Sequence, residues 1–212
     1  MERLHVGTSG WSYPSWRPGF YPAGTDPKAF LSYYSERFDT VELNTTGYRL
    51  PAEEQFDRWA EQTPPGFTFA VKLPPQALRA LATFEERVAR LGDRLGPIRV
   101  VIPGKRDEGM LALLAGSLDP ALRLVLDFRH DSWAGVELPA NAVTVNGLEA
   151  EAPFRYLRFR EPPYDEAGLH AAAARIRALL DGGLEVFAYF QHEEEATAPA
   201  YADRLRVLVS DL

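Results

Sequence analysis

The segment RFDTVELNTTGYRLP, residues 37–51, contains an alternation of apolar and polar residues, and the predicted architecture of the chain starts from it. Val41 and Leu43 alternate with Glu42 and Asn44, which is the period of a β-strand with one apolar and one polar face. An acid and an amide are unexpected on a strand that is buried on both faces. We therefore expect Glu42 and Asn44 to point into a functional site.

On either side of this segment, apolar runs alternate with helical patterns. Strands are predicted over residues 4–8, 40–44, 67–73, 98–102, 122–128, 142–145, 154–159 and 184–190. Helices are predicted over about residues 26–38, 52–62, 76–91, 107–114, 165–180 and 198–209. Eight strands with interleaved helices predict an α/β fold, a TIM (β/α)8-like barrel with shortened or missing helices around strands 5 to 7. One domain is expected over residues 1–212.

A doubly wound open sheet would use the same elements. That fold commonly carries a glycine-rich phosphate-binding fingerprint between the first strand and a helix. Here Gly7-Thr8-Ser9-Gly10 lacks the required spacing and leads into an aromatic loop. The sequence therefore favours the barrel.

The composition is that of a globular protein with no general affinity for polyanions. The 212 residues are 46% hydrophobic and 25% charged, with a net charge of -7, so attraction of the whole surface to nucleic acid or anionic lipid is not expected. The absence of cysteine excludes disulfides, thiolate zinc sites and a thiol nucleophile. No signal peptide and no bilayer-length apolar run is present, so we expect a soluble, cytoplasmic protein without a membrane partner.

Strand parity predicts further polar side chains that share the site with Glu42 and Asn44. Counting by two along the later strands places these residues inward, at carboxyl ends: Lys72, Asp127, Arg129, Arg158 and Tyr189. Barrels carry their sites at the carboxyl ends of the strands. The opposite ends are predicted to be unremarkable.

Charge at this end of the strands predicts an anionic ligand. Arginine forks match phosphate or carboxylate groups, and a small positive excess is expected here. Lys72, crowded by cations, is a candidate base or nucleophile, while Glu42 and Asp127 are candidates for proton transfer. The alternative is a buried ionic network without a catalytic role.

Aromatic residues follow the first strand and recur near the other strand ends. The predicted ligand-binding side chains are Trp11, Tyr13, Asn44, Tyr48, Arg129, Trp133, Arg158 and Tyr189. Aromatic rings at such a position either stack on a sugar or base, or seal the end of the barrel.

The histidines give little support for a metal centre. His5 and His170 are expected away from the site, whereas His130 and His192 are placed near enough to reach it. No HExxH-type spacing is present, and the neighbouring arginines oppose a bound cation. No metal and no cofactor are predicted.

Several segments resemble one known family. VGTSGWSYPSW with GFYP (6–22), FDTVELNTTGYRLP (38–51) and GFTFAVKLP (66–74) are similar to the YecE-like family, domain of unknown function 72. LDFRHDSW (126–133), YLRFR (156–160) and YFQH (189–192) match its later motifs less completely. The resemblance implies a TIM barrel and these matching positions: Gly7, Thr8, Gly10, Trp11, Tyr13, Glu42, Asn44, Tyr48, Pro51, Lys72, Arg129, Trp133 and Arg158. It implies no reaction, since the family has no established one.

Three functions remain compatible with these patterns. The first is a metal-independent enzyme acting on a small anionic or phosphorylated, sugar-like substrate. The second is a nucleic-acid-binding or processing protein that places arginines on phosphates and aromatic rings on bases. The third is a non-catalytic ligand-binding protein.

Overall fold

Eight β-strands and six α-helices form the part of the chain that the computed structural model describes, residues 3–44, 50–191 and 195–212. The strands are β1 (Leu4–Thr8), β2 (Thr40–Leu43), β3 (Thr68–Lys72), β4 (Leu95–Ile102), β5 (Leu124–Phe128), β6 (Ala142–Thr144), β7 (Phe154–Phe159) and β8 (Glu185–Phe190). The helices are α1 (Phe30–Ser35), α2 (Glu53–Glu61), α3 (Leu81–Val88), α4 (Glu108–Ser117), α5 (Glu166–Asp181) and α6 (Thr197–Ser210). Each predicted strand is confirmed, with bounds that differ by a few residues.

Aspartate caps begin several of the helical segments. Asp26 accepts a hydrogen bond from the backbone N–H of Lys28, and Asp107 and Asp165 cap α4 and α5 in the same way. The helix predicted over residues 76–91 is interrupted at Ala80, whose φ of -148° lies outside the helical range. Within the described ranges, no helix combines the length and apolarity that crossing a bilayer requires.

The connections around β6 lack α-helices, as predicted. Only a 3-10 turn, Asp131–Trp133, lies between β5 and β6, and no helix separates β6 from β7. The buried guanidinium of Arg155 donates hydrogen bonds to the carbonyls of Leu148, Ala150, Ala152 and Phe154. One side chain therefore satisfies backbone acceptors that a helix would otherwise pair internally.

All paired strands run parallel and belong to two sheets, with the orders β1-β8-β7 and β2-β3-β4-β5-β6. Isolated parallel bridges, Ser9 with Glu42 and Val145 with Tyr156, connect β1 to β2 and β6 to β7. β1 and β2 approach so closely that a Cβ on Gly7 would lie 2.2 Å from the carbonyl oxygen of Thr40. The fold is thus α/β with parallel sheets.

The two faces of the strands form separate apolar clusters, in agreement with the predicted parity. Val41, Phe69, Val71, Leu124 and Leu126 belong to a large cluster that also contains the buried faces of the helices. A smaller interior cluster contains Ala70, Val125, Val143, Ala152, Phe154, Tyr156, Phe187 and Tyr189. The strands that carry polar side chains at their carboxyl ends therefore pack against one another through this smaller apolar cluster.

The amino ends of the strands carry a charged network, so the prediction that they are unremarkable was wrong. His5 Nδ1 lies 2.9 Å from Asp39 Oδ2 and its Nε2 lies 3.2 Å from Glu185 Oε1. Arg123 Nη1 donates to Glu185 Oε2 at 2.7 Å. Burial alone would lower the pKa of His5, but bonding to the two carboxylates raises it to about 9. His5 is therefore protonated at neutral pH.

Candidate functional site

Glu42 lies at the centre of the charged cluster at the carboxyl ends of the strands. Its fully buried carboxylate accepts hydrogen bonds at Oε2 from Ser9 Oγ (2.8 Å) and Arg158 Nη2 (2.8 Å). Oε1 accepts from the Tyr156 hydroxyl at 2.6 Å. Arg99 Nε lies 2.7 Å from Oε1, although its N–H is not aligned for a hydrogen bond. Both carboxylate oxygens are thus engaged by the protein itself.

This environment keeps Glu42 ionised. Burial alone would raise its pKa, but the charges of Arg99 and Arg158 and the hydrogen bonds from Tyr156 and Ser9 outweigh burial and lower the pKa to about 2. A carboxylate with such a low pKa is a weak base at neutral pH. The surroundings of Glu42 favour a role in holding the guanidinium groups in position.

One carboxylate oxygen of Asp127 accepts hydrogen bonds from three guanidinium groups. Its Oδ2 accepts from Arg99 Nη1 at 2.7 Å, Arg160 Nη2 at 2.8 Å and Arg129 Nη2 at 3.0 Å. Arg99 therefore links the two buried carboxylates, while the side chain of Arg129 remains 42% exposed. Such charge-assisted contacts hold the three guanidinium groups in place around Asp127.

Lys72 adds a further cation beside this cluster. It ends β3, is paired in register with Arg99 of β4, and is half-buried. Burial lowers the pKa of Lys72, and the positive charge of Arg99 lowers it further. Among the residues that the structure describes, four guanidinium groups and Lys72 thus accompany the carboxylates of Glu42 and Asp127.

An aromatic cleft of about 430 Å³ adjoins the charged cluster. Its lining includes Trp11, Tyr13, Asn44, Pro51, Gln55 and Trp59. Gly10 permits this arrangement, because its φ of +91° suits glycine and a Cβ there would lie 2.5 Å from the Tyr13 hydroxyl oxygen. Three of the predicted ligand-binding residues, Trp11, Tyr13 and Asn44, therefore share one cleft.

Two predicted ligand-binding residues are enclosed by protein, which corrects their assignment. Trp133 is buried, stacks on Phe128 with ring centroids 4.4 Å apart, and donates its indole N–H to the Gly104 carbonyl. Tyr189 is fully buried in the interior cluster, with its hydroxyl 2.6 Å from Thr40 Oγ1. Neither ring presents a surface to a ligand. Tyr48 and His192, which were also assigned near the site, lie outside the described residues.

The sequence reasoning missed Arg99 and did not assign Ser9 to the site. Arg99 interrupts the apolar run of β4, and it lies between the outward-facing Ile98 and Val100, so strand alternation would have placed it inward. Tyr156 shares its face of β7 with Arg158 by the same rule. Ser9 follows β1, where no periodic pattern indicates its direction. Parity applied to β4 would therefore have found the residue that joins the two carboxylates.

The described residues contain no group of three or more histidine, aspartate and glutamate side chains arranged to hold a metal ion. His130 instead accepts a hydrogen bond at Nδ1 from the backbone N–H of Ser132, which caps the 3-10 turn after β5. The arginines around Glu42 and Asp127 would also oppose a cation there.

Comparison with known structures relates the fold to one family. Two crystal structures of a DUF72 family protein from Enterococcus faecalis V583 superpose with TM-scores of 0.79 and 0.75. Each alignment covers 98% of this chain, and 95% and 97% of the respective structures, at 15% and 14% sequence identity. At such low identity, the likeness shows a shared fold.

Curated sequences support the same relationship. The chain is 31% identical over 191 residues to the UPF0759 protein YecE of Escherichia coli O157:H7, covering 84% of this chain and 65% of that protein. It is 31% identical over 143 residues to YecE of Escherichia coli strain K12, covering 61% of this chain and 50% of that protein. The chain thus spans less than two thirds of the length of these relatives. The model of the family described as protein of unknown function DUF72 matches residues 5–211, and the chain therefore belongs to the DUF72 family.

Proposed function

We propose that the chain binds a small anionic molecule, of the phosphate-ester class, at the carboxyl ends of its strands and acts on it without a metal ion. The excess of cations among the described residues carries this proposal. Four guanidinium groups and Lys72 surround only two carboxylates, and those carboxylates are already engaged by the protein. A phosphate group would neutralise the remaining positive charge and match the fork geometry of the arginines.

The proposal includes closure of the two sheets into one (β/α)8-like barrel. The isolated bridges at Ser9 and Val145 support closure at both junctions between the sheets. Side chains also connect the sheets, since Tyr156 of β7 donates to Glu42 of β2 and Tyr189 of β8 contacts Thr40 of β2. In a closed barrel, the carboxyl ends of all strands surround a single ligand site.

The residues have different proposed roles. Arg129 and Arg160 contact the anion, because both are partly exposed while they are held by Asp127. Lys72 is the proposed base or nucleophile, since its lowered pKa increases the fraction of neutral amine. Glu42 and Asp127, predicted above as proton-transfer groups, are proposed here to position the arginines.

Binding of inorganic phosphate and ribose 5-phosphate, measured by isothermal titration calorimetry at low salt, tests the anion site. Arg129→Gln is expected to weaken ribose 5-phosphate binding by about tenfold, the loss of one charge-assisted contact. Arg177→Gln is the matched control, because Arg177 also pairs with a nearby aspartate, Asp181, and is 40% exposed. Absence of binding to the wild-type protein, or equal effects of the two variants, would contradict the proposal.

A non-catalytic binding role is the second candidate, favoured by the low pKa of Glu42 and the full engagement of its oxygens. Phosphorus NMR of bound sugar phosphates over time separates the two functions. Conversion that is lost in Lys72→Met, with binding retained, supports an enzyme. Recovery of every bound compound unaltered supports a binding protein.

A further inference from the structure

We propose that the anion is the phosphate of a mononucleotide, and that its base occupies the aromatic cleft defined by Trp11, Tyr13, Asn44, Pro51, Gln55 and Trp59. This inference rests on the proposed function, because it assigns a substrate class to the same site. It adds a second ligand-binding region to the arginine cluster.

The cleft and the arginine cluster are directly connected through shared contacts. The Tyr13 hydroxyl donates to the Ser9 carbonyl at 2.8 Å, while Ser9 Oγ accepts from Arg158 Nη2 at 3.0 Å. Asn44 lines the cleft, and its Oδ1 lies 3.5 Å from Arg99 Nη2. The cleft and the arginine cluster are therefore adjacent, and the proposal places the base in the cleft and the phosphate against the cluster.

The chemistry of the cleft favours a planar heteroaromatic ring over a sugar alone. Trp11, Tyr13, Pro51 and Trp59 supply apolar walls, and a volume of about 430 Å³ suits a small organic ligand. The ring of Trp59 meets that of Trp11 edge to face, with centroids 5.8 Å apart and planes at 88°, which braces the partly exposed Trp11. Aromatic side chains bind bases by stacking, whatever the base.

The polar side chains of the cleft complete this assignment. The amide oxygens of Asn44 and Gln55 already accept from Arg99 (3.5 Å) and Arg58 (2.9 Å), and each keeps a second lone pair. Together with the amide N–H donors, these oxygens match the mixed hydrogen-bonding edge of a base. A sugar bound alone would present hydroxyls around its whole rim and leave many of them facing the apolar walls, at a cost in desolvation. The ribose of a mononucleotide instead bridges the cleft and the arginines.

Calorimetric titration of the whole chain with AMP and with ribose 5-phosphate tests the inference. We expect AMP to bind about tenfold more tightly, from stacking of the base. Trp11→Ala should abolish this advantage and leave ribose 5-phosphate binding unchanged, whereas Trp11→Phe should retain much of it. If Trp11→Ala fails to fold, Gln55→Ala tests the same cleft, and a reduced preference for AMP is expected.

The possible failures are distinguishable. Equal affinities for AMP and ribose 5-phosphate would overturn the mononucleotide assignment while leaving the anion site intact. No binding of either compound would overturn the proposed function itself. Affinity that rises with the length of a single-stranded oligonucleotide would overturn the mononucleotide assignment in favour of a nucleic-acid strand.

Discussion

Replacement of Arg99 by methionine is expected to destabilise the protein strongly. Arg99 contacts Glu42 at 2.7 Å and Asp127 at 2.7 Å, and it links the two carboxylates. Methionine retains much of the apolar stem but removes the charge. Glu42 and Asp127 would then remain buried with one cation fewer.

The size of the expected loss of stability follows from the burial of the three side chains. The side chains of Arg99, Glu42 and Asp127 are 3%, 0% and 3% exposed, so water cannot replace the lost guanidinium without rearrangement. Removing one partner of a buried ion pair costs about 3–5 kcal/mol of unfolding free energy. We expect a loss in this range at neutral pH, measured by urea unfolding with tryptophan fluorescence.

The pH dependence gives a sharper test of the same reasoning. In the wild-type protein, the pKa of Glu42 is lowered from 4.5 to about 2. Its ionised form therefore contributes stability that is present above about pH 4.5 and lost as the pH falls through about 2, at most about 3 kcal/mol. Without Arg99, less positive charge opposes the effect of burial on Glu42, so the pKa of Glu42 rises. The difference in stability between wild type and variant should therefore narrow as the pH falls from about 7 to about 4.

Arg90→Met is the matched control, because Arg90 makes a 2.7 Å contact with Asp57 at the protein surface. Exposed ion pairs contribute little, so this variant should unfold at nearly the wild-type urea concentration. An Arg99→Met protein as stable as Arg90→Met, or a stability difference independent of pH, would refute the assignment of Arg99 as the charge that holds the two carboxylates.

Three other positions give independent tests by chemical denaturation. The pKa of about 9 for His5, raised from 6.5, predicts stability that is fully present below about pH 6.5 and declines as the pH rises through 9; a profile unchanged in His5→Gln would contradict this. Arg155→Met should lose about 2–4 kcal/mol, because four backbone carbonyls lose a charged donor, and a loss well below this range would argue against it. Gly7→Ala should lose about 1–3 kcal/mol or more through contact with Thr40, whereas Gly116→Ala, where a Cβ meets nothing within 4 Å, should not be destabilised.

The local sequence pattern was sufficient to predict the strands and most helices, and it predicted many residues of the site. Alternation over residues 40–44 predicted β2 and the inward direction of Glu42, and the same counting predicted Asp127 on β5. Short intervals between the later strands predicted the missing helices around β6. These features depend on neighbours along the chain, and the two-residue period of a strand is local.

The aromatic residues in the loops show what the local sequence pattern could not predict. Trp11 and Trp133 were assigned the same role, but Trp11 lines the cleft and Trp133 stacks beneath Phe128. Nothing near either residue in sequence distinguishes the two outcomes. Exposure of a loop ring depends on which distant elements cover it.

The sequence by itself determined the α/β class, the strand order along the chain and the polar face that begins at Glu42, because hydrophobic periodicity reports which face of each element is buried. Only the tertiary structure decided that Arg99 joins Glu42 to Asp127. It also decided that Tyr156 and Ser9 donate hydrogen bonds to the carboxylate of Glu42. Those contacts link residues far apart in sequence, and their geometry depends on how the strands are staggered. Glu42 therefore lies where its strand predicted, while its charge state and partners depend on other strands and their connections.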